Sequence, residues 1–313
     1  MRVELPEPSA DELAHSERLA ALIRHEIEAA GGALDFSRYM ELALYSPGLG
    51  YYSAGAAKFG AAGDFVTAPE LGFVFARCLA RALAPTLRET RGDILELGPG
   101  SGALAAQLLA ELERLDALPA RYLLLERSAD LRERQQQRIL RDCPRMRARC
   151  VWLDTPPAES WRGALIANEV IDALPVRAFV LRDDETFARA VGVDGDGRFI
   201  WREVAADAAL RAAAKRIIPD ATALPRPYVS EVCTLLAPWF AEVARSLETG
   251  MAWFIDYGYS RSEYYSPHRA HGTLHCHFRH RAHDDPLILP GLRDITAHVD
   301  FDALIEAGAD AGF

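Results

Sequence analysis

Cysteine is scarce in this chain and shows no organisation. The five cysteines, Cys78, Cys143, Cys150, Cys233 and Cys276, are odd in number, scattered and never in C-x-x-C spacing. That excludes a disulfide framework or a cysteine zinc site, and it argues for a reducing compartment. Long apolar runs are also missing. Hydrophobic residues make up 50% of the 313, yet every run stops well short of the ~18 residues a membrane span needs. Residues 1–8 lack a basic start followed by an apolar run, so no secretory signal is expected. They are also too acidic for a transit peptide. Basic charge is in deficit: 35 Lys and Arg stand against 45 Asp and Glu, for a net charge of −10. A non-specific nucleic-acid binder needs a strong basic field, so nucleic acid is excluded as a partner. The acidity suits a basic protein substrate, or serves solubility alone. No internal repeat or low-complexity tract is present. The chain reads as cytoplasmic, with one main domain and an insertion.

What is present starts with the segment 93–103, DILELGPGSGA. A short apolar strand passes through Glu96 into Gly98, Gly100 and Gly102, and a helical pattern follows over 103–115. Glycines here let the backbone turn sharply and approach a ligand that a Cβ would push away. A loop after a strand and before a helix is where open α/β sheets bind nucleotides. Two cofactors are open at this point. Gly98-x-Gly100-x-x-Ala103 fits the dinucleotide fingerprint, with a pyrophosphate at the helix N-terminus. The pattern E-x-G-x-G-x-G fits S-adenosylmethionine, which carries a sulfonium, an ammonium and a carboxylate. Glu96 suits a cationic cofactor end better than a pyrophosphate.

Further acids follow at strand ends. Residues 121–126 form an apolar run closed by Glu126, about 20 residues past the loop, where a carboxylate accepts from ribose hydroxyls. Both cofactors have that ribose. Residues 149–154 read as a third strand closed by Asp154, placed for an adenine amino group. Residues 163–169 read as a fourth strand ending in Asn168 and Glu169. A polar pair at the end of a buried strand is costly unless used. A redox domain has no need of it, and an oxidoreductase would lack a catalytic set here.

The rest is read coarsely. Helices are expected over 11–30, 36–45 and 69–84, with a Pro-Gly-rich loop up to Thr67. Alternating β and α segments over 93–175 imply a parallel sheet. Residues 176–204 read as an inserted antiparallel meander, 207–218 as a helix and 223–227 as a linker. A long helix is expected over 231–247, a fifth strand over 251–256 and a further helix over 301–311. The expected organisation is an N-terminal extension at 1–90, a cofactor domain at 91–175 and 231–313, and an inserted substrate-cleft subdomain at 176–230. Six histidines between His268 and His283 fall in a loop-like stretch whose spacing is not that of a metal site, so no metal is expected.

Several segments together resemble the MidA-like family of S-adenosylmethionine-dependent methyltransferases, which includes a mitochondrial protein arginine methyltransferase assisting respiratory complex I assembly. They are YMELALYSPGLGYY at 39–52, GDFVTAPE at 63–70, ELGPGSG at 96–102, NEVIDALP at 168–175, IDYG at 255–258, and 272–301. Val170, Ile171 and Gly72 depart from the family pattern, which has bulkier residues at the first two and Ser at the third. The resemblance implies an α/β class I methyltransferase: a Rossmann-like doubly wound sheet with a helical extension and an inserted antiparallel meander. Two closing C-terminal strands of that fold are absent from the sequence. It implies S-adenosylmethionine as cofactor and methyl transfer to arginine of a protein, a complex I subunit by family likeness. Glu169, Asp172 and Asp64 are the implied catalytic residues, with Glu70 completing the pocket. Cofactor contacts are implied for Glu96, Gly98, Gly100, Gly102, Glu126, Asp154, Asn168, Thr67 and Pro69. Glu169 and Asp172, three apart, would share one side of a helical turn. Glu231 is either a further candidate or an acid in a helix first turn capped by Ser230. A non-catalytic assembly chaperone that retains the pocket is the alternative within the family, and a homodimer is left open.

Overall fold

The computed structural model describes residues 5–53, 68–183 and 185–313. Ser9 opens α1 (Ala10–Ala29). Its hydroxyl accepts from the Glu12 amide while the Glu12 carboxylate accepts from the Ser9 amide, satisfying two donors a helix start leaves over. Asp35 opens α2 (Phe36–Tyr45) by accepting from the Ser37 amide. Short α3 (Ala68–Leu71) leads through Gly72 into α4 (Phe73–Thr90).

The strand–helix alternation follows as β1 (Asp93–Leu97), α5 (Ala103–Arg114), β2 (Tyr122–Leu125), α6 (Ala129–Asp142), β3 (Cys150–Leu153) and β4 (Trp161–Asn168). Next come β5 (Arg177–Arg182), β6 (Glu185–Val193), β7 (Phe199–Ala205), α7 (Ala208–Ile217), β8 (Tyr228–Val232), α8 (Leu236–Ala244) and β9 (Leu247–Ile255). The chain continues through β10 (Gly258–Tyr259), α9 (Arg261–Tyr264), β11 (His275–Phe278), β12 (Arg281–His283), β13 (Asp294–Thr296), β14 (Val299–Asp300) and α10 (Phe301–Asp310).

Two compact units result. The first holds the segment from α3 through β4, together with β9. Its sheet runs β3-β2-β1-β4-β9, parallel throughout. β1 is buried at every position because helices cover both faces, its two acids Asp93 and Glu96 included. Ile94 packs on one face with Leu104, Leu108, Leu124 and Ile166. Leu95 and Leu97 pack on the other with Leu123, Leu165 and Phe254. Each such side chain contributes about 1.5–3 kcal/mol of burial, so the strand directions are strongly held. All five carboxyl ends consequently lie along one edge, where sheets of this class bind ligands.

The second unit holds α1 and α2, the β5–β8 region and the chain from β10 to α10. Its main sheet is antiparallel, in the order β7-β6-β5-β8. The meander expected over 176–204 is β5 to β7. The helix expected over 231–247 is corrected. Residues Tyr228–Val232 form β8, paired with β5 through Ser230 opposite Phe179, and the helix starts only at Leu236. Four of the five β8 residues are buried, Val229 being the partly exposed one, so the strand shows no clean alternation to set it apart from a helix in the sequence. The histidine-rich stretch is not a loop either. His275 and His277 lie on β11 and His283 on β12, in a three-stranded sheet ordered β12-β11-β13. Among the described residues, no helix is long and apolar enough to cross a membrane.

Candidate functional site

The loop leaving β1 turns on Gly98, Gly100 and Gly102, at φ +58°, +50° and +78°. All three lie in the left-handed region that glycine enters without cost. A Cβ on Gly102 would also come within 3.2 Å of the Gln135 backbone and side chain. The loop is therefore pressed against α6 as well as sharply bent.

α6 presents Arg132, Gln135 and Arg138 at spacings of three, hence toward one side. Arg132 donates to the Glu126 carbonyl at 2.6 Å and pairs with Asp154 at 2.6 Å, joining the ends of β2 and β3. The Asp154 side chain is 78% exposed, so the acid expected near an adenine is a surface group held by Arg132. Gln135 is wholly buried, and its amide reaches three partners: the Gly100 carbonyl, the Glu126 carboxylate and the Trp152 indole. Arg138 donates to Glu70 at 2.9 Å and to the Ser101 hydroxyl at 3.0 Å, and Ser101 itself donates to Glu70. Glu70 thus clamps α3 to the glycine loop. Pro69, beside it, accepts at its carbonyl from Gln107.

Glu126 lies at the end of β2, partly buried. Its carboxylate accepts from the Ser128 amide at 2.8 Å and from Gln135 at 3.2 Å. Burial pushes its pKa up, and these hydrogen bonds oppose the rise. Glu96 lies deeper, only 3% exposed, and accepts from the Tyr122 hydroxyl at 2.7 Å. Burial pushes its carboxyl up to about 7, so near neutral pH it is only partly charged. The described contact of Glu96 is with the core.

β4 ends in Asn168 and Glu169. The Glu169 amide donates to the Ile255 carbonyl at 2.8 Å, extending the β4–β9 pairing by one residue. Its φ is +51°, in the left-handed region that non-glycine residues rarely occupy. Burial raises the Glu169 pKa, and the Asp256 carboxylate raises it further, while a hydrogen bond from the Asn168 side chain works the other way. Asp256, just past β9, accepts from the Ile171 amide at 3.0 Å. Glu169 therefore has Asp256 as its acidic neighbour. The helical turn expected to align Glu169 with Asp172 is corrected, because residues 169–174 form bends and turns. In the second unit Asp172 is buried and accepts from the Tyr257 hydroxyl, and its carbonyl accepts from the Ala297 amide at 2.9 Å. Asp64 and Thr67, both expected in the site, lie outside the described residues.

The sequence pattern of a family described as S-adenosyl-L-methionine-dependent methyltransferases matches residues 78–313. The chain belongs to that family. A Burkholderia thailandensis protein whose crystal structure holds S-adenosyl-homocysteine is 44% identical, with a TM-score of 0.93 over 99% of this chain and 80% of that one. Mitochondrial relatives named protein arginine methyltransferase NDUFAF7 homolog are more distant. That of Caenorhabditis elegans is 26% identical over 86% of this chain and 67% of its own length. That of Drosophila melanogaster is 28% identical over 95% and 71%.

The cofactor of this methyltransferase is S-adenosylmethionine, and the dinucleotide reading of the glycine loop falls away. The residues present fit it. Three positive-φ glycines leave the backbone open to an adenosine-type ligand, and Glu126 offers a pre-oriented acceptor at the next strand end. The contacts at these strand ends also involve residues that carried no assigned role in the sequence. Asp256 falls within a quoted family segment but was assigned no role. Gln135, Arg132 and Arg138 had no motif, and only their common spacing of three hinted that they act together.

Glu231 is also resolved as a structural group. It is buried on β8 and accepts from the Tyr264 hydroxyl at 2.8 Å, the Thr273 amide at 2.8 Å and the Thr273 hydroxyl at 2.7 Å. Ser230 does not cap a helix at this point. Three donors on one carboxylate oxygen fasten the segment after α9 to the antiparallel sheet.

Proposed function

We propose that this methyltransferase transfers methyl groups to arginine side chains of a protein substrate, with a respiratory complex I subunit as the carrier by family likeness. The observation that carries the reading is the pairing of Glu169 with Asp256 at the adjoining ends of β4 and β9, Glu169 being in a left-handed backbone. Two neighbouring part-buried acids repel each other, and an arriving cation relieves that repulsion. Backbone strain of this kind costs about 1–3 kcal/mol and persists where function uses it. The names of the mitochondrial relatives support the same substrate class.

S-adenosylmethionine supplies an electrophilic methyl group on a sulfonium. A guanidinium is a poor nucleophile because its lone pair is delocalised and its pKa exceeds ~12. Glu169, assisted by Asp256, holds two of its nitrogens and draws the positive charge toward them, which leaves the third nitrogen more nucleophilic. Asp172, held by the Tyr257 hydroxyl, is a further catalytic residue in this reading, and the 176–230 insertion is the segment assigned to substrate binding.

The test is methyl transfer from labelled S-adenosylmethionine to a panel of basic peptides, followed by acid hydrolysis and mass spectrometry. Methylarginine is the expected product. Label found only in methyl-lysine or in base-labile carboxyl esters would overturn the arginine reading and leave the cofactor assignment standing.

A further inference from the structure

We propose that Gln135 is a positioning residue for cofactor binding, holding the Glu126 carboxylate in the orientation that receives a ribose hydroxyl. The inference rests on Glu126 as the ribose acceptor.

The chemistry of the three partners decides how the amide is turned. The Trp152 indole N–H can only donate, and it donates to Gln135 Oε1 at 2.8 Å. The amide nitrogen must then face the other side, where it meets two groups that can only accept. These are the Gly100 carbonyl at 2.8 Å and Glu126 Oε2 at 3.2 Å. Both amide hydrogens and the amide oxygen are thereby used. Gln135 is 0% exposed, so the amide has no water to fall back on and this arrangement is the satisfied one. β3, the glycine loop and the Glu126 carboxylate are all tied to this single side chain.

Glu126 gains a fixed rotamer from it. Its Oε1 is held by the Ser128 amide and its Oε2 by Gln135. A carboxylate has about four acceptor positions, and with the Ser128, Arg127 and Gln135 donors in place one remains open to a ribose hydroxyl. A carboxylate already held in place pays less ordering cost on binding than a free one. A merely structural Gln135 would support every ligand of the pocket equally. A positioning Gln135 favours ligands that carry the ribose hydroxyls.

Calorimetric titration with S-adenosylhomocysteine and with its 2′,3′-dideoxy analogue separates the two roles. The wild type is expected to prefer the hydroxylated ligand by about tenfold or more, the scale of hydrogen bonds to a charged group. In Gln135→Leu most of that preference should vanish, with the loss falling on the hydroxylated ligand. Gln135→Met keeps the length of the side chain and offers no donor toward Glu126, and should behave alike. It serves as the second variant should Gln135→Leu fail to fold, checked by circular dichroism. Equal weakening of both ligands, or a preference retained in a folded variant, overturns the proposal. Absence of any preference in the wild type overturns the Glu126 reading beneath it.

Discussion

Glu126 and Glu169 occupy matching places, one at the end of β2 and one just past β4, and they differ in company. Burial raises the pKa of both. Around Glu126 every further named influence is a hydrogen bond or positive charge that opposes the rise. Beside Glu169 the next influence is a second carboxylate, Asp256, which adds to it. The first acid is at ease and ready to accept from neutral hydroxyls. The second is under electrostatic tension that only a cation or a proton relieves. Under the proposed function the same residue type serves a neutral ribose in one place and a cationic substrate in the other, and the neighbours decide which.

The sharpest test of that contrast is Glu169→Gln, which keeps shape and removes charge. Methyl transfer should fall by roughly 10²-fold or more, the scale of losing one positioned electrostatic group. S-adenosylhomocysteine affinity should stay within about twofold, measured by calorimetry, because the change leaves the glycine loop and Glu126 untouched. The folded pKa of Glu169 lies above its unfolded value, so ionising it costs stability as pH rises through the folded pKa. The variant should therefore melt at or above the wild-type temperature at neutral pH, and the gap should close as the medium turns acidic. In the wild type, methyl transfer should decline as Glu169 takes up its proton, at a pH above the ordinary carboxylate range. A variant that melts lower and methylates normally would make Glu169 structural, and the catalytic role would pass to Asp172 or Asp64.

Glu126→Gln probes the other side of the comparison and should have a smaller effect on turnover. Cofactor affinity should drop by about tenfold, from the loss of charge-assisted hydrogen bonds. Turnover at saturating S-adenosylmethionine should stay within about threefold. A fall in turnover as large as that of Glu169→Gln would erase the distinction between a binding acid and a substrate acid.

Arg138→Met should give the smallest change. It breaks the pair with Glu70 and the bond to Ser101, in a spot where the two side chains are 24% and 14% exposed. A stability loss of about 1–3 kcal/mol is expected in thermal melts, with cofactor affinity lowered only two- to threefold. A loss of affinity matching Glu126→Gln would show that the clamp on the glycine loop matters as much as the ribose acid.

Local patterns in the sequence were sufficient for the βα alternation from β1 to β4, the glycine loop, the meander and the ends of α1 and α2. Each depends on short-range chemistry: largely apolar segments for strands covered on both faces, and glycines where φ must be positive. The acids at the strand ends were visible for the same reason, since Glu126 and Glu169 close apolar runs. Tertiary structure decided what those acids meet. Tyr228–Val232 became a strand because β5 offered it a paired edge, a partner some 50 residues away that no local window contains. Gln135 became the centre of the cofactor side because the fold brings Trp152, Gly100 and Glu126 to one buried amide. Glu169 acquired Asp256 as its neighbour through the pairing of β4 with β9 across more than 80 residues, so its strained pKa is a property of the sheet order. Burial and charge proximity act through space, and only the folded chain determines which groups are close enough to feel them.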